Sequence, residues 1–365
     1  MKYRYPVYMP SLRGNEKKYL NECVDTNWLT ENGRFVQDFE NEFKKFVDVK
    51  YATVVGNGTL ALHLAMVSLG IGPEDEVIVP TLTYIASANA IAYTGARPVF
   101  VDCKADTWQI DPEDVKRKIS PRTKAIMPVH LYGLASNMEE ICKIADEHNL
   151  FIVEDCAEAF GSRIKQKHVG TFGDIGVFSF FGNKTITTGE GGMLVTNDKT
   201  LFDRAHHYKG QGLAKWRQYW HDVIGFNYRM TNLSAAVGLA QIENANNILE
   251  DKRKVANWYR KYLKDLPLTF QNVDAEYSHS YWMVTVLANS SEIREELREY
   301  MKEHGVETRP TFYPIHTMPM YSMKYQMLRN SEDIGWRGMN LPSYPDLKED
   351  DVKVICDLVK KYFKG

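Results

Sequence analysis

Apolar and polar positions along the chain form blocks that predict strands followed by helices. Apolar runs of strand length occur at Tyr51–Val55, Glu76–Pro80 and Arg97–Val101, with turns and helical stretches after the first two. Further strands are predicted at Ala125–His130, Leu150–Val153 and Val177–Phe181. Helical periodicity is clearest in Arg34–Phe46, in Met138–His148 and in a stretch over Asp111–Ile119. The pattern therefore predicts repeated βα units, which are typical of an α/β fold.

The pattern changes near residue 246, where the chain becomes richer in charge. A charged helix is followed by a predicted strand at Tyr281–Leu287, a helix at Ser291–His304, a strand at Val306–Arg309 and a closing helix at Glu349–Phe363. The sequence thus predicts a large α/β domain over residues 1–245 and a smaller α+β domain over residues 246–365.

Composition excludes several classes of protein. The 365 residues carry a formal net charge of −2, so no overall basic field attracts nucleic acid. No apolar run has the length of a membrane span, and the N-terminal stretch lacks the apolar core of a signal peptide. The five cysteines are scattered without a CxxC pair, so neither a metal site nor a disulfide framework is predicted. We expect a cytoplasmic protein of enzyme size.

Residues 177–192 combine an apolar run, a lysine and a glycine-rich end. Burial next to a strand would lower the pKa of Lys184 and favour its nucleophilic amine, which can react with an aldehyde. Neighbouring hydroxyls, including Ser179, and the unobstructed N–H groups of Gly189–Gly192 could bind an anionic cofactor. The alternative is a β-hairpin that carries an exposed lysine.

A glycine turn between strand Tyr51–Val55 and the next helix predicts a phosphate site. Asn57, Gly58 and Thr59 stand where a helix dipole and free N–H groups meet. The same residues match a short dinucleotide fingerprint, but no strand with an acidic end follows at the usual distance. A single phosphate group is therefore favoured over a nicotinamide dinucleotide.

Two other strand ends carry candidate functional side chains. Tyr84 follows strand Glu76–Pro80, where its ring could stack on a flat cofactor or simply pack in the core. Asp155 follows strand Leu150–Val153, where its carboxylate could hold a pyridine nitrogen or cap a turn. In the C-terminal part, Arg309 and His316 lie in a loop with two prolines and several aromatic residues, and both are kept as candidates although a lone histidine is more often structural.

These motifs together resemble the DegT/DnrJ/EryC1/StrS family of nucleotide-sugar aminotransferases, which use pyridoxal phosphate. The resemblance extends over essentially the whole chain, with the motifs in the family's order. It rests on the segments Gly56–Thr59, Pro80–Tyr84, Glu154–Ala159, Ser179–Lys184, Gly189–Gly192, Tyr219–Asp222, Phe226–Asn232 and Phe312–Tyr321.

The resemblance implies the aspartate-aminotransferase type of fold (fold type I), with a mostly parallel central sheet flanked by helices and a small C-terminal α+β domain. It also implies roles for individual residues. Lys184 would bond to the cofactor and then act as the base, and Asp155 would pair with the pyridine nitrogen. Relatives with histidine in place of the lysine perform a dehydration, so Lys184 favours amino transfer. The other implied cofactor contacts are Asn57, Gly58, Thr59, Tyr84, Glu158 and Ser179, with Asn227 and Arg229 reaching a neighbouring subunit.

The implied reaction moves an amino group from L-glutamate to C4 of a nucleotide-linked 4-keto-6-deoxy sugar. The resemblance favours GDP-4-keto-6-deoxymannose, which would become GDP-perosamine for O-antigen or other lipopolysaccharide synthesis. Tyr313, His316 and Arg309 are the candidate substrate contacts, and a homodimer with shared active sites is expected. Alternatives are a UDP- or dTDP-linked 4-keto-6-deoxyglucose as substrate, a non-catalytic regulator, or a nicotinamide oxidoreductase that would leave Lys184 and Asp155 unexplained.

Overall fold

The computed structural model describes residues 3–322 and 326–364, and its strands and helices are numbered here in chain order. A seven-stranded sheet has the strand order β1-β9-β8-β5-β4-β2-β3. Strand β9 runs antiparallel to β1 and β8, and the other neighbouring pairs are parallel. The sheet consists of β1 (Tyr51–Val55), β2 (Glu76–Pro80), β3 (Arg97–Val101), β4 (Thr123–Ile126), β5 (Phe151–Asp155), β8 (Ile175–Ser179) and β9 (Gly192–Thr196).

Helices cover both faces of this sheet because its strands are apolar on both sides. Val77 and Val79 of β2 pack in the cluster of α3, α4 and α7, whereas Ile78 packs with α5 and α6 on the opposite face. The helices of this part are α1 (Glu16–Asp25), α2 (Arg34–Val47), α3 (Gly58–Ser68), α4 (Ala86–Ala92), α5 (Pro112–Lys118), α6 (Met138–His148), α7 (Lys199–Lys209) and α8 (Asn232–Glu243). The prediction of a mostly parallel α/β sheet flanked by helices is confirmed.

The helix with the predicted aromatic stripe is α2. Its Phe35, Phe39 and Phe43 are fully buried at a spacing of four residues, and they pack against α8 and against Phe180 beyond the end of β8. Spacing of four residues puts side chains on one helix face, which explains why the periodicity identified this helix.

The C-terminal part contains a second, antiparallel sheet with the order β10-β12-β14-β13. It is packed by α9, α10 and α12 around a separate apolar core. Its elements are α9 (Ala245–Leu263), β10 (Thr269–Phe270), β12 (Val284–Leu287), α10 (Ser291–Glu303), β13 (Arg309–Pro310), α11 (Arg329–Arg337), β14 (Gly338–Leu341) and α12 (Glu349–Lys364). A small third sheet joins β6 (Arg163–Ile164), β7 (Lys167–His168) and β11 (Tyr277–Ser278).

Helix α9 begins where the two predicted domains meet. Its first turns, with Ile248 and Leu249, pack in the core of α2 and α8, and Val255 onward packs in the core of the C-terminal sheet. Tyr5 from the start of the chain also lies in that second core. The division into residues 1–245 and 246–365 stays a proposal, and its residues 1–2, 323–325 and 365 lie outside the described part.

Some predicted bounds were wrong. The strand predicted at Val306–Arg309 begins only at Arg309, because Val306 instead pairs with Tyr5 in an isolated bridge. The strand predicted at Ala125–His130 ends at Ile126, and β5 continues to Asp155. Within the described residues, no helix has both the length and the apolar character needed to cross a membrane.

Candidate active site

The start of α3 forms a concave anion site against the end of β8. The Asn57 side chain caps the helix by accepting a hydrogen bond from the Leu60 N–H at 3.0 Å. A Cβ atom on Gly58 would lie 2.8 Å from the Ser179 Cβ, so only glycine allows this close approach. Thr59 completes the first turn, whose N–H groups and dipole favour a phosphate.

Asp155 ends β5 as a buried carboxylate, 4% exposed, on the wall of the same cavity. Ser87 Oγ donates to its Oδ2 at 2.8 Å, and the Ala157 N–H donates to its Oδ1 at 3.1 Å. Burial raises the pKa of this carboxyl, while the Ser87 hydrogen bond and the charge of Lys184 act in the opposite direction. A protonated ring nitrogen bound beside Asp155 would therefore give this buried carboxylate a positively charged partner.

Lys184 lies in the turn between β8 and β9, with its main-chain N–H donating to Phe181 O at 2.9 Å. Burial lowers the pKa of its amine, and the carboxylates of Glu158 and Asp155 partly offset this effect. The Glu158 carboxylate accepts from the Tyr132 N–H at 2.8 Å, and burial raises its pKa to about 7. The site thus holds an amine whose pKa is lowered and a carboxyl whose pKa is raised, as groups that transfer protons require.

These side chains line one cavity of about 490 Å³, which is within the usual size of a small-molecule site. Tyr84 stands at its rim with 57% of its surface exposed, and its ring centroid lies 5.7 Å from that of Phe312. Among the described residues, the buried Oδ1 of Asn183 finds no hydrogen-bond partner, and Asn183 lies at the cavity wall. An anion cradle, an available aromatic face, a buried carboxylate and an amine match the phosphate, ring, ring nitrogen and aldehyde of pyridoxal phosphate, so the residues present fit this cofactor.

The cavity contains nine of the residues named from the sequence. Its lining includes Asn57, Gly58, Thr59, Tyr84, Asp155, Glu158, Ser179, Lys184 and Arg309. Arg309 faces it from β13, and its guanidinium also contacts Glu307 at 3.2 Å. Residues from the ends of β1, β2, β5, β8 and β13 therefore meet at one place.

Asn227 and Arg229 do not line the cavity of their own chain. The Arg229 Nε donates to Asn227 Oδ1 at 3.0 Å, and its guanidinium pairs with Glu31 at the surface. The segment nevertheless adjoins the phosphate turn, since the Gly56 N–H donates to Tyr228 O at 2.9 Å. Their predicted contact with a neighbouring subunit stays a prediction.

Tyr313 and His316 do not line this cavity, and their predicted contacts with the substrate stay a prediction. His316 is 3% exposed, with Nδ1 at 2.8 Å from Thr81 Oγ1 and Nε2 at 3.0 Å from Glu332. Both ring nitrogens are engaged, so this histidine fixes the loop that carries it. The Tyr313 ring packs on Trp336 with centroids 4.9 Å apart.

Several lining residues were not predicted from the sequence. Ser87 is in a small-residue helix, and Trp282 and Phe312 come from the C-terminal part. Lys184 Nζ lies 3.9 Å from the centroid of the Trp282 ring. For Ser87, a hydroxyl three residues after Tyr84 at a helix start was an available signal. Phe312 lies in the proline- and aromatic-rich loop that the sequence singled out, whereas Trp282 reaches the site through long-range packing that no local pattern reveals.

Comparisons with known proteins agree with this site. The model of the DegT/DnrJ/EryC1/StrS aminotransferase family matches residues 10–360. A GDP-perosamine synthase of Escherichia coli O157:H7 is 58% identical over 363 residues, covering 100% of this chain and 99% of the relative. A GDP-perosamine synthase of Vibrio cholerae is 48% identical over 362 residues, covering 98% and 99%. The solved structure of the aminotransferase TlmJ from Streptoalloteichus hindustanus has a TM-score of 0.94 at 29% identity, with 99% of each chain covered.

The family match over nearly the whole chain and the fitted cofactor site lead to the same conclusion. The chain belongs to the DegT/DnrJ/EryC1/StrS aminotransferase family and is a pyridoxal-phosphate enzyme that acts on a nucleotide sugar.

Proposed function

We propose that this enzyme transfers the amino group of L-glutamate to C4 of GDP-4-keto-6-deoxymannose and so forms GDP-perosamine. The observation that carries this proposal is the 58% identity to a GDP-perosamine synthase across 363 residues, together with an intact lysine at the site. The alternative substrates, UDP- or dTDP-linked 4-keto-6-deoxyglucose, have no comparable support. The product would supply the synthesis of O-antigen or another surface polysaccharide.

In the proposed reaction, each residue of the site has one task. The start of α3 and Ser179 bind the cofactor phosphate, Tyr84 covers one ring face, and Asp155 keeps the ring nitrogen protonated. When bound, pyridoxal phosphate supplies the carbonyl that carries the amino group and a ring that takes up electrons.

Lys184 moves the proton in both half-reactions. Its amine, with a pKa lowered by burial, would accept the proton from the donor's α-carbon and pass it to the cofactor carbon that carried the aldehyde, so that the amino group stays with the cofactor and hydrolysis releases 2-oxoglutarate. In the second half-reaction Lys184 would take the proton back from that carbon and deliver it to C4 of the sugar, which leaves with the amino group. Glu158, whose pKa is about 7, would share a proton with the hydroxyl group on the cofactor ring.

A competition assay tests the substrate. Purified enzyme is supplied with glutamate and an equal mixture of GDP-4-keto-6-deoxymannose and the UDP- and dTDP-linked 4-keto-6-deoxyglucose, with the Lys184→Ala variant as the inactive control. We expect kcat/KM to be highest for the GDP sugar, by about 10⁴-fold where a buried polar group loses its partner on the wrong base. A higher value for a UDP or dTDP sugar would overturn the GDP assignment but not the aminotransferase class.

We further propose a homodimer in which each active site uses both chains. The segment before α8 carries Asn227 and Arg229 at the surface, beside the phosphate turn. The same segment exposes a group of large apolar side chains, which favours burial against another copy. These are Leu213, Trp216, Tyr219, Trp220 and Ile224.

The compartment is also part of the proposal. The five cysteines are free thiols in the described structure, and Cys142 is half-buried whereas the other four are buried. Unpaired thiols are typical of a reducing compartment, which supports a cytoplasmic location.

A further inference from the structure

The main chain around Lys184 is held by two aromatic donors from distant parts of the sequence. The indole N–H of Trp282 donates to Asn183 O at 2.7 Å. The hydroxyl of Tyr8 donates to Lys184 O. The carbonyls of Asn183 and Lys184 are therefore held by donors that lie outside the β8–β9 turn. The orientation of Lys184 thus depends on the N-terminal segment, which carries Tyr8, and on the C-terminal part, which carries Trp282.

Trp282 also contacts the side chain of the lysine. Lys184 Nζ lies 3.9 Å from the centroid of its ring, and only 4% of Trp282 is exposed. The indole is stacked with Tyr132 and Phe312, with centroids 6.2 Å and 6.3 Å away. This stacking fixes the position of the indole face independently of the lysine. The negative face of an indole ring attracts a cation placed over it.

A transaminase lysine needs such a support when it is not bonded to the cofactor. The four-carbon stem is then free to rotate, although the amine must stay near the reacting carbon to move protons. The Glu158 and Asp155 carboxylates face the same amine and favour its charged form without fixing its direction.

We propose that Trp282 is a positioning residue whose ring face holds the Lys184 amine while the lysine is not bonded to the cofactor, and holds it most strongly when the amine is protonated. The inference rests on the proposed role of Lys184 as the base. It assigns one indole two tasks, since the N–H fixes the main chain and the ring face fixes the side chain.

The test measures the amine directly in the cofactor-free, full-length protein. Lysines are labelled competitively with trace acetic anhydride over a range of pH, and the Lys184 peptide is quantified by mass spectrometry. In Trp282→Leu the protonated amine loses its contact with the ring face, so we expect the midpoint of the curve of labelling against pH to move to lower pH. At pH values below that midpoint, where the amine is mostly protonated, the labelled fraction of Lys184 should rise about two- to five-fold. Trp336→Leu, a tryptophan outside the cavity lining, is the matched control and should leave the midpoint unchanged.

Two outcomes would overturn the proposal. One is an unchanged midpoint in Trp282→Leu, and the other is a rise confined to the high-pH plateau, which reports easier access of the reagent. If the leucine variant unfolds, Trp282→Phe carries the test, because a phenyl face is a weaker partner and should give a smaller shift in the same direction. No shift in a folded Trp282→Phe would then contradict the proposal.

The hydroxyl of Tyr8 provides a separate check on the main-chain part. Tyr8→Phe removes the hydrogen bond to Lys184 O but leaves the Trp282 face intact. We expect its labelling midpoint to match the parent, and a shift as large as that of Trp282→Leu would show that main-chain support alone explains the effect. Labelling needs neither cofactor nor substrate, so failure here leaves the proposed function standing, and failure of the substrate assay leaves this inference standing.

Discussion

Adjacent acidic residues at the end of β5 have different tasks. Glu154 turns away from the cavity and accepts hydrogen bonds from the N–H groups of Gly170, Phe172 and Gly173 at 2.7–2.8 Å. It also contacts His130 Nε2 at 3.0 Å, and Cys156 lies nearby. His130 Nδ1 accepts from the Ser136 N–H, so the imidazole and the carboxylate are already engaged in protein contacts. This group organises the loop under the site, whereas Asp155 faces the cavity.

Glu154→Ala should therefore act on folding. Three N–H groups would lose their acceptor, that of Gly170 buried and those of Phe172 and Gly173 partly buried, and we expect the free energy of unfolding to fall by about 3 kcal/mol. Urea unfolding of the cofactor-free protein measures this change. A loss below about 1 kcal/mol would mean that water replaces the carboxylate without difficulty.

Asp155→Asn should act on chemistry. The amide can keep a hydrogen bond to Ser87 but carries no charge to hold a ring proton, so we expect turnover to fall about 100-fold or more. Visible absorbance checks that the cofactor is still bound, and the unfolding midpoint should stay near that of the parent. Near-normal turnover with full cofactor loading would exclude the predicted role.

Glu158 makes stability depend on pH in the cofactor-free protein. Its folded pKa of about 7 is above the ordinary 4.5, so the folded state retains a proton that the unfolded chain releases between these values. The contribution of this group to the free energy of unfolding is therefore present below pH 4.5 and is lost as pH rises toward 7. Unfolding curves at several pH values should show a flatter profile for Glu158→Gln, and identical slopes would contradict the shift.

At the scale of elements, the local pattern of apolar and polar residues predicted most of the strands of the large sheet and several helices. The bounds of β1, β2, β3 and α6 were predicted as observed, because each combines an apolar period with a clear turn at its ends. Helix α11 and strand β14 were not predicted, and both are short. In α11 the one large apolar side chain that is buried is Ile334, which packs with Leu82, Trp108 and Tyr132 of the N-terminal part, whereas Met339 and Leu341 of β14 pack in the C-terminal core.

The site shows the same limit. Lys184 and Asp155 became candidates because each stands next to an apolar run, where a charged side chain is conspicuous, and the structure places both on the cavity wall. Trp282 reaches the site across 98 residues of sequence from Lys184, and nothing near it in the chain indicates a site. His316 became a candidate through its loop with two prolines and clustered aromatic residues, whereas its burial depends on tertiary contacts that this local pattern does not reveal.

The junction of α3 with β8 offers a test at this scale. Gly58→Ala would bring its methyl group within 2.8 Å of the Ser179 Cβ and move the helix start away from the strand end. We expect cofactor affinity to weaken about ten-fold, a cost within the usual range for overpacking. Gly72→Ala is the matched control, because its Cβ would meet nothing closer than 4.0 Å and affinity should not change. Equal affinities in both variants would argue against the cradle.

At the scale of the whole molecule, the proposed sharing of the active site between two subunits predicts complementation between inactive chains. Lys184→Ala and Arg229→Ala should each be inactive alone. The first variant lacks the proposed base, and the second lacks the guanidinium that each chain is proposed to contribute to the active site of its partner. After subunit exchange, a mixed dimer carries one site with both residues intact, so up to about half of the activity per mixed dimer should return. Native mass spectrometry verifies exchange, and no recovery in exchanged dimers would exclude sharing through Arg229.

The contacts of the N-terminal segment have a consequence for how the chain is made. Tyr5 bridges Val306, the Val7 N–H donates to Glu307 at 2.9 Å, and the Ser343 N–H donates to Val7 O at 3.2 Å. This N-terminal segment is therefore synthesised before its partners, which follow about 300 positions later along the chain. Until those partners are present, the Tyr8 hydroxyl that contacts Lys184 O lacks the contacts that position its segment. We therefore expect a nascent chain to form much of the large sheet before it can bind the cofactor fully.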